Sequence, residues 1–183
     1  MTILELLSVS VGRGATIGVR EGRNVRSGIC KLPVESTTIE VGELGLAGDQ
    51  QVATSVHGGP SQAVYAYSAE HFDDWATELG APVRPGLFGE NLTVAGTTER
   101  DVRSGDEWHW GNVRLRVTRR RFPCYKLDMH LGREVGPFML ERQRTGWYLA
   151  VVQPGTAPTT GSIEVITRGK GPTIAEEVER ETA

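Results

Sequence analysis

Hydrophobic and polar positions alternate along much of this chain with the period of two that marks strands. Ile3 to Val11 is rich in β-formers and ends at Gly12 and Gly14. Ile29 to Val41 mixes β-branched with polar residues, and Ala63 to Tyr67 is a short apolar run. Asp106 to Val117 carries the clearest hairpin signature. Trp108 and Trp110 alternate on one side and Val113, Leu115 and Val117 on the other, with Gly111-Asn112 as a two-residue turn. His109 then points away from the two tryptophans. Trp147 to Val152 reads as a strand closed by Pro154-Gly155, and Ile163 to Ile166 as the last strand. Two stretches change to helical spacing. Ser68 caps a helix through Leu79, with Glu70 in the first turn, Gly80 past the end, and Phe72, Trp75, Ala76 and Leu79 on one face. His71 falls opposite that face, on the surface. Pro137 opens a second helix through about Arg144, with Gly146 as its stop. Pro172 to Ala183 reads as a frayed helix outside the core. Many short strands with few inserted helices predict a mainly β, barrel-like domain rather than a βαβ array.

A chain of 183 residues is the size of one domain. Residues 1–24 form a strand and loop leading into a core over 25–168, and 169–183 form a tail. Hydrophobic residues make up 38% and no apolar run nears the ~20 residues of a spanning helix, which excludes a helical membrane protein. The formal net charge of -3 disfavours a nucleic-acid binder. The N-terminus lacks the cationic start and cleavage site of a signal peptide, so a cytoplasmic protein with reduced thiols is expected. Cys30 and Cys124 imply no disulfide framework, and Cys30, between Ile29 and Lys31 on an expected strand, reads as structural.

Three segments could carry chemistry. In His57-Gly58-Gly59-Pro60 the glycines let backbone amides face a ligand; the plainer reading is a tight turn. In Phe88-Gly89-Glu90-Asn91-Leu92 a carboxylate and an amide stand before a strand, suited to acid–base work or ligand binding, or to an Asx-type turn. The third is Arg119-Arg120-Arg121-Phe122-Pro123-Cys124-Tyr125-Lys126. Its cations suit a phosphate or carboxylate and favour the thiolate of Cys124, the form that attacks or binds a metal. Against this, a charge run is often a solvated face and a lone cysteine often a small buried residue. His130, after Asp128-Met129, is open to a functional or a structural reading. Zinc-site spacings, a phosphate-binding GxxxxGK[ST] loop and a GxSxG elbow are absent from the sequence.

Together, Gly45-Leu46-Ala47-Gly48-Asp49, Val56 to Pro60, Ala63 to Tyr67 with Glu70-His71, Phe88 to Leu92, Gly105-Asp106 and Pro123-Cys124-Tyr125-Lys126-Leu127 resemble the MOSC domain, named for the C-terminal domain of molybdenum cofactor sulfurase. Within that family they are most similar to the bacterial YiiM-like branch, associated with resistance to N-hydroxylated purines. The resemblance spans roughly residues 25 to 168 and implies a β-barrel-like fold. It implies that Cys124 is the thiolate ligand to the molybdenum of a pterin cofactor (molybdopterin), and that the enzyme reduces N-hydroxylated compounds such as nucleobases. By position His57, Glu90 and Asn91 match catalytic motif residues, and Arg121, Gly58, Gly59, Lys126 and His130 match the cofactor surroundings. The family also carries an association with pyridoxal phosphate. The implied partners are a small N-hydroxylated substrate and a separate electron-donor protein, with no nucleic acid or membrane; a homodimer is compatible with the sequence. The alternative is a sulfur carrier that holds a persulfide on Cys124. Arg119-Arg120 stand where the family usually has Gln-Pro, and the chain stops at Ala183, where YiiM-like proteins often continue into a helical module. Cys124, His57, Glu90 and Asn91 are expected to converge on one pocket at a barrel mouth.

Overall fold

The computed structural model describes residues 2–52 and 58–182. Seven strands close into a barrel. β1 (Thr2–Val11) pairs on one side with β13 (Gly161–Thr167) and on the other with β8 (Leu92–Ala95). β8 runs parallel to β7 (Val64–Ser68), and the ring continues through β11 (Trp147–Gln153), β10 (Val113–Arg120) and β9 (Glu107–Trp110) back to β13. All the other barrel pairs are antiparallel. The parallel pair is the one joined by a helical crossover, α1 (Phe72–Leu79), as parallel pairing requires. Closure removes the exposed edges of an open sheet. Outside the ring stand β4 (Leu32–Pro33) on β1, a hairpin of β2 (Ala15–Arg20) and β3 (Arg23–Ser27), and a small sheet of β5 (Thr38–Gly42), β6 (Gly45–Leu46) and β12 (Gly155–Pro158).

The β9–β10 hairpin forms as its pattern predicts. Trp108 sits opposite Leu115 and Trp110 opposite Val113, and all four are buried in one interior cluster. Gly111 takes φ 60°, the positive value that the first central residue of such a turn needs.

The core has two parts that share a wall. Val64 and Ala66 of β7 and Trp147 and Leu149 of β11 belong to the barrel interior. Their neighbours Tyr65, Tyr67 and Tyr148 belong to a second cluster with Trp75, Phe88, Leu127 and Met139. Alternation along a strand therefore sends Tyr65, Tyr67 and Tyr148 out through the barrel wall, where helices cover them. Tyr67 stacks on Phe88 with centroids 4.7 Å apart, and its hydroxyl accepts a 2.6 Å bond from Trp75 Nε1.

Ser68 caps as expected, but its first turn is 3-10, with Oγ accepting from Glu70 N, before α1 begins at Phe72. His71 is not a surface residue: its Nε2 lies 2.7 Å from the buried Glu99 carboxylate. The segment after Cys124 is helical, which the sequence reading missed. α2 (Tyr125–Leu131) starts on Cys124 as N-cap and ends at Gly132. The helix expected from Pro137 is α3 (Gly136–Glu141); it stops before Arg144 because Gln143 turns to φ 54°. Ile29 to Val41 carries two strands, β4 and β5, with loop before and between them, and Cys30 falls in the loop before β4, exposed rather than held in a strand.

The C-terminal segment is no frayed tail. α4 (Ile174–Thr182) buries Ile174, Ala175 and Val178. Its start is a capping box, in which Thr173 Oγ1 accepts from Glu176 N and the Glu176 carboxylate accepts from Thr173 N. Glu177 accepts the backbone N–H of Arg120, whose guanidinium pairs with Glu181. Val178→Ala should therefore cost about 2 kcal/mol in denaturant unfolding, from the buried methyls removed and the space they leave. A frayed helix would show no change.

Candidate active site

A cleft lies against the outer face of the barrel wall, where Tyr65 and Tyr148 emerge, rather than in a barrel mouth. It is a shallow cleft: its own cavity volume is about 100 Å³, and most of the about 660 Å³ around it is open to solvent. Cys124, Asn91, Arg121, Gly58 and Lys126, named above from the sequence, all line it. So do Lys31, Asp49, Gln51, Tyr65 and Tyr148, which were not singled out. Two of its walls meet at Gly28, where a Cβ would stand 2.1 Å from the carbonyl oxygen of Gln50. Only glycine permits that approach.

Arg121 ends β10 turned inward while its neighbours turn elsewhere. Arg119 is exposed, and Arg120 stacks on Phe122 at 3.6 Å and serves α4. The Arg run is therefore not one anion site. Arg121 Nη1 donates to the Phe88 carbonyl at 3.0 Å and to the Tyr65 hydroxyl at 3.3 Å. Burial works against its charge, but Tyr65, Tyr148 and Cys124 more than offset this and raise its pKa above the usual guanidinium value. Burial pushes the Tyr65 and Tyr148 hydroxyls up despite the guanidinium beside them. Arg121 is thus a fixed cation at the thiol's side of the cleft.

Asp49 ties three segments together. Its carboxylate accepts from Gly12 N at 2.8 Å and from Asn91 Nδ2 at 3.0 Å, and it forms an ion pair with Lys31. Burial lowers the Lys31 pKa, and Asp49 opposes the shift. Asn91 is fully engaged: its Nδ2 also donates to Ser10 O, and its Oδ1 accepts from Tyr65 N. It shapes the wall and has no polar atom left over.

Glu90 does not line the cleft. Its side chain is fully buried and turns back into its own loop, accepting from Gly86 N at 2.7 Å, Phe88 N at 3.0 Å and Thr93 Oγ1 at 3.0 Å. Three donors engage both of its oxygens, so it braces the site instead of acting in it. Gly59 spends its N–H on Gln51 Oε1. His57 lies outside the described residues. Lys126 donates to Arg26 O at 3.1 Å across the cleft's rim. His130 stands one face away, its Nδ1 3.5 Å from Cys30 Sγ. Cys30 and Cys124 are not joined in a disulfide. Among the described residues no cluster of three metal-ligating side chains occurs, and no helix is long and apolar enough to cross a membrane.

Burial lowers the His130 pKa, helped by the cations Arg84 and Arg121 and opposed by the backbone carbonyl of Leu87, which favours the protonated ring. A histidine whose folded pKa is depressed stabilises the fold above its unfolded value, near 6.5, and loses that contribution as pH falls through the folded value. His130→Gln should flatten the acid side of the stability–pH curve relative to the parent. Parallel curves would remove His130 from the account.

The model of the MOSC domain matches residues 53–169. The chain belongs to the MOSC domain family. Protein YiiM of Escherichia coli is 36% identical over 155 residues, covering 82% of this chain and 68% of that protein. The uncharacterized protein YflK of Bacillus subtilis is 35% identical over 168 residues, covering 90% of this chain and 74% of the relative. A fungal protein named reductase, from Gibberella moniliformis, is 34% identical over 134 residues, covering 68% of this chain but 23% of its own length. The crystal structure of YiiM from Geobacillus stearothermophilus superposes with a TM-score of 0.80 at 29% identity, covering 97% of this chain and 83% of that one. Most of the motifs quoted from the sequence fall inside the matched span.

Proposed function

We propose that this MOSC protein binds a molybdenum–pterin cofactor through Cys124 and reduces N-hydroxylated compounds. The observation that carries the reading is the pairing, in one cleft, of the Cys124 thiol with the buried Arg121 guanidinium. A soft thiolate suits molybdenum, and a guanidinium held among tyrosines suits the phosphate of a pterin. Arg121, Lys31 and Lys126 give the cleft three cations for such an anion, and its open side leaves room for a larger group to project. The relative named reductase agrees with a redox role.

When bound, the molybdenum centre supplies two-electron oxygen-atom removal. The net change converts N–OH to N–H and releases water, taking up two electrons and two protons. The chain's own part is to bind, orient and protonate. The attraction between Arg121 and Cys124 favours the thiolate. Lys31 holds a proton at Nζ inside the cleft; burial favours its release and Asp49 restrains it, which suits a proton donor. The Tyr65 ring, 4.7 Å from the Arg121 guanidinium, and Tyr148 give the substrate an aromatic wall.

The test is to purify the protein from a host that makes the cofactor and to measure molybdenum, pterin and turnover of an N-hydroxylated base with a chemical reductant. Stoichiometric molybdenum and turnover are expected. Protein without molybdenum but with cyanide-labile sulfur on Cys124 would overturn the reading in favour of a persulfide carrier.

A further inference from the structure

We propose that the cationic face formed by the β2–β3 hairpin and the start of α2 docks an acidic electron-donor protein beside the cleft. The inference rests on the reductase reading and adds to it the kind of partner and its place. Between Gly12 and Lys31 the chain has five cations and one anion, Glu21, although its formal net charge is -3. The rest of the chain is therefore acidic, and the positive charge is concentrated here. Arg13, Arg20, Arg23 and Arg26 are all exposed.

The hairpin is tied to the helix that Cys124 begins. Arg20 lies over the Tyr125 ring at 4.3 Å, and Lys126 Nζ bonds the Arg26 carbonyl. Arg20, Arg23, Arg26, Tyr125 and Lys126 line a recess between the two elements, and Lys126 also lines the cleft. A partner seated on this face thus stands next to the thiol. Glu21 and Gly22 close the hairpin with φ 52° and 72°, the tight mirror-image turn that matches strand twist.

The composition of the patch suits a protein. Val19 and Tyr125 are 63% and 43% exposed among the arginines, and arginine with aromatics is what transient interfaces enrich. The cations are spread over two strands instead of converging on a point, so they match an extended acidic surface better than one phosphate. A long polyanion would meet the acidic remainder of the chain. Charge complementarity of this kind speeds encounter without tight binding, which a donor that must arrive and leave for each electron requires.

The test uses reduced flavodoxin, a small acidic flavoprotein, as the probe, with full-length cofactor-loaded protein. Binding followed by fluorescence should be clear at low ionic strength and weaken steeply with salt. Arg20→Glu with Arg23→Glu should weaken it about tenfold or more and slow flavodoxin-driven turnover in proportion, while turnover driven by reduced methyl viologen stays at the parent's rate. Arg23→Glu alone, which spares the Arg20–Tyr125 contact, should shift binding in the same direction by less. Failure of the parent to bind flavodoxin at low salt, or parent-like binding by both variants, would overturn the proposal. Binding of a short DNA duplex in place of flavodoxin, lost in the same variants, would overturn it in favour of a nucleic-acid face. Absence of turnover with methyl viologen would sink the reductase reading instead, and the binding measurement would still decide the docking face.

Discussion

Cys124→Ser should yield a folded protein that holds no molybdenum and reduces nothing. A hydroxyl is a harder and far less acidic donor than a thiol, so it replaces neither the charge nor the softness that the metal needs. The side chain barely changes in volume, and the residue sits half-buried at the N-cap of α2 without a side-chain capping bond. The stability cost should accordingly stay at about 1 kcal/mol or less. Arg121→Ala should behave differently. It removes the cleft's buried cation and strands the Phe88 carbonyl, so cofactor retention should fall while added cofactor restores part of the turnover. Metal content, turnover and melting should be compared for both variants. Full metal in Cys124→Ser would end the ligand reading, and an unfolded Cys124→Ser would make the residue structural.

Glu90→Ala should be the most destabilising single change near the site. It deprives Gly86 N, Phe88 N and Thr93 Oγ1 of their acceptor in a place water does not reach. Each buried donor left unmade costs about 1–3 kcal/mol, so a total of about 4 kcal/mol is expected, a large share of a domain's stability. Glu90→Gln should fall between. Its oxygen can serve Gly86 and Thr93, but its amide then faces the Phe88 N–H. Burial raises the Glu90 pKa in spite of the three donors, so the neutral glutamine escapes part of the cost of a buried charge. Denaturant midpoints at unchanged slope measure both effects. Parent-like stability in Glu90→Ala would show that the 86–90 loop is held by something else.

The strands were legible because a half-buried strand writes its period directly into the residues, as Trp108, Trp110, Leu115 and Val117 show. The family motifs likewise led to Cys124, Asn91 and Arg121 in one cleft. Elements that depend on distant partners were not legible. α2 hides its inward pair, Leu127 and Leu131, among Lys126, Asp128 and His130, although Gly132 marks its end. Pro172 to Ala183 read as a helix, but nothing local says that α4 packs on β10 and buries Val178. Glu90 read as catalytic because a carboxylate in a glycine bend looks available; only the fold reveals that both its oxygens are bonded to Gly86, Phe88 and Thr93. The ion pair of Lys31 with Asp49 joins residues whose flanking sequences give no hint of each other. The position of the cleft followed the same logic. Alternation predicts that Tyr65 and Tyr148 point away from Val64 and Leu149, but not that helices wait on that side.

β7 has all five of its residues buried, with Val64 and Ala66 facing one compartment and Tyr65 and Tyr67 the other. A slip of one residue would drive two phenol rings into the barrel and leave a valine and an alanine to fill the space under the helices. Neither compartment could absorb the exchange, so the strand behaves as a keyed partition that fits in a single position. Its amides should be among the last to exchange with deuterium, because releasing them means opening both rooms at once. The cleft is mounted on that partition through Tyr65, and so inherits its alignment from the least negotiable piece of the molecule.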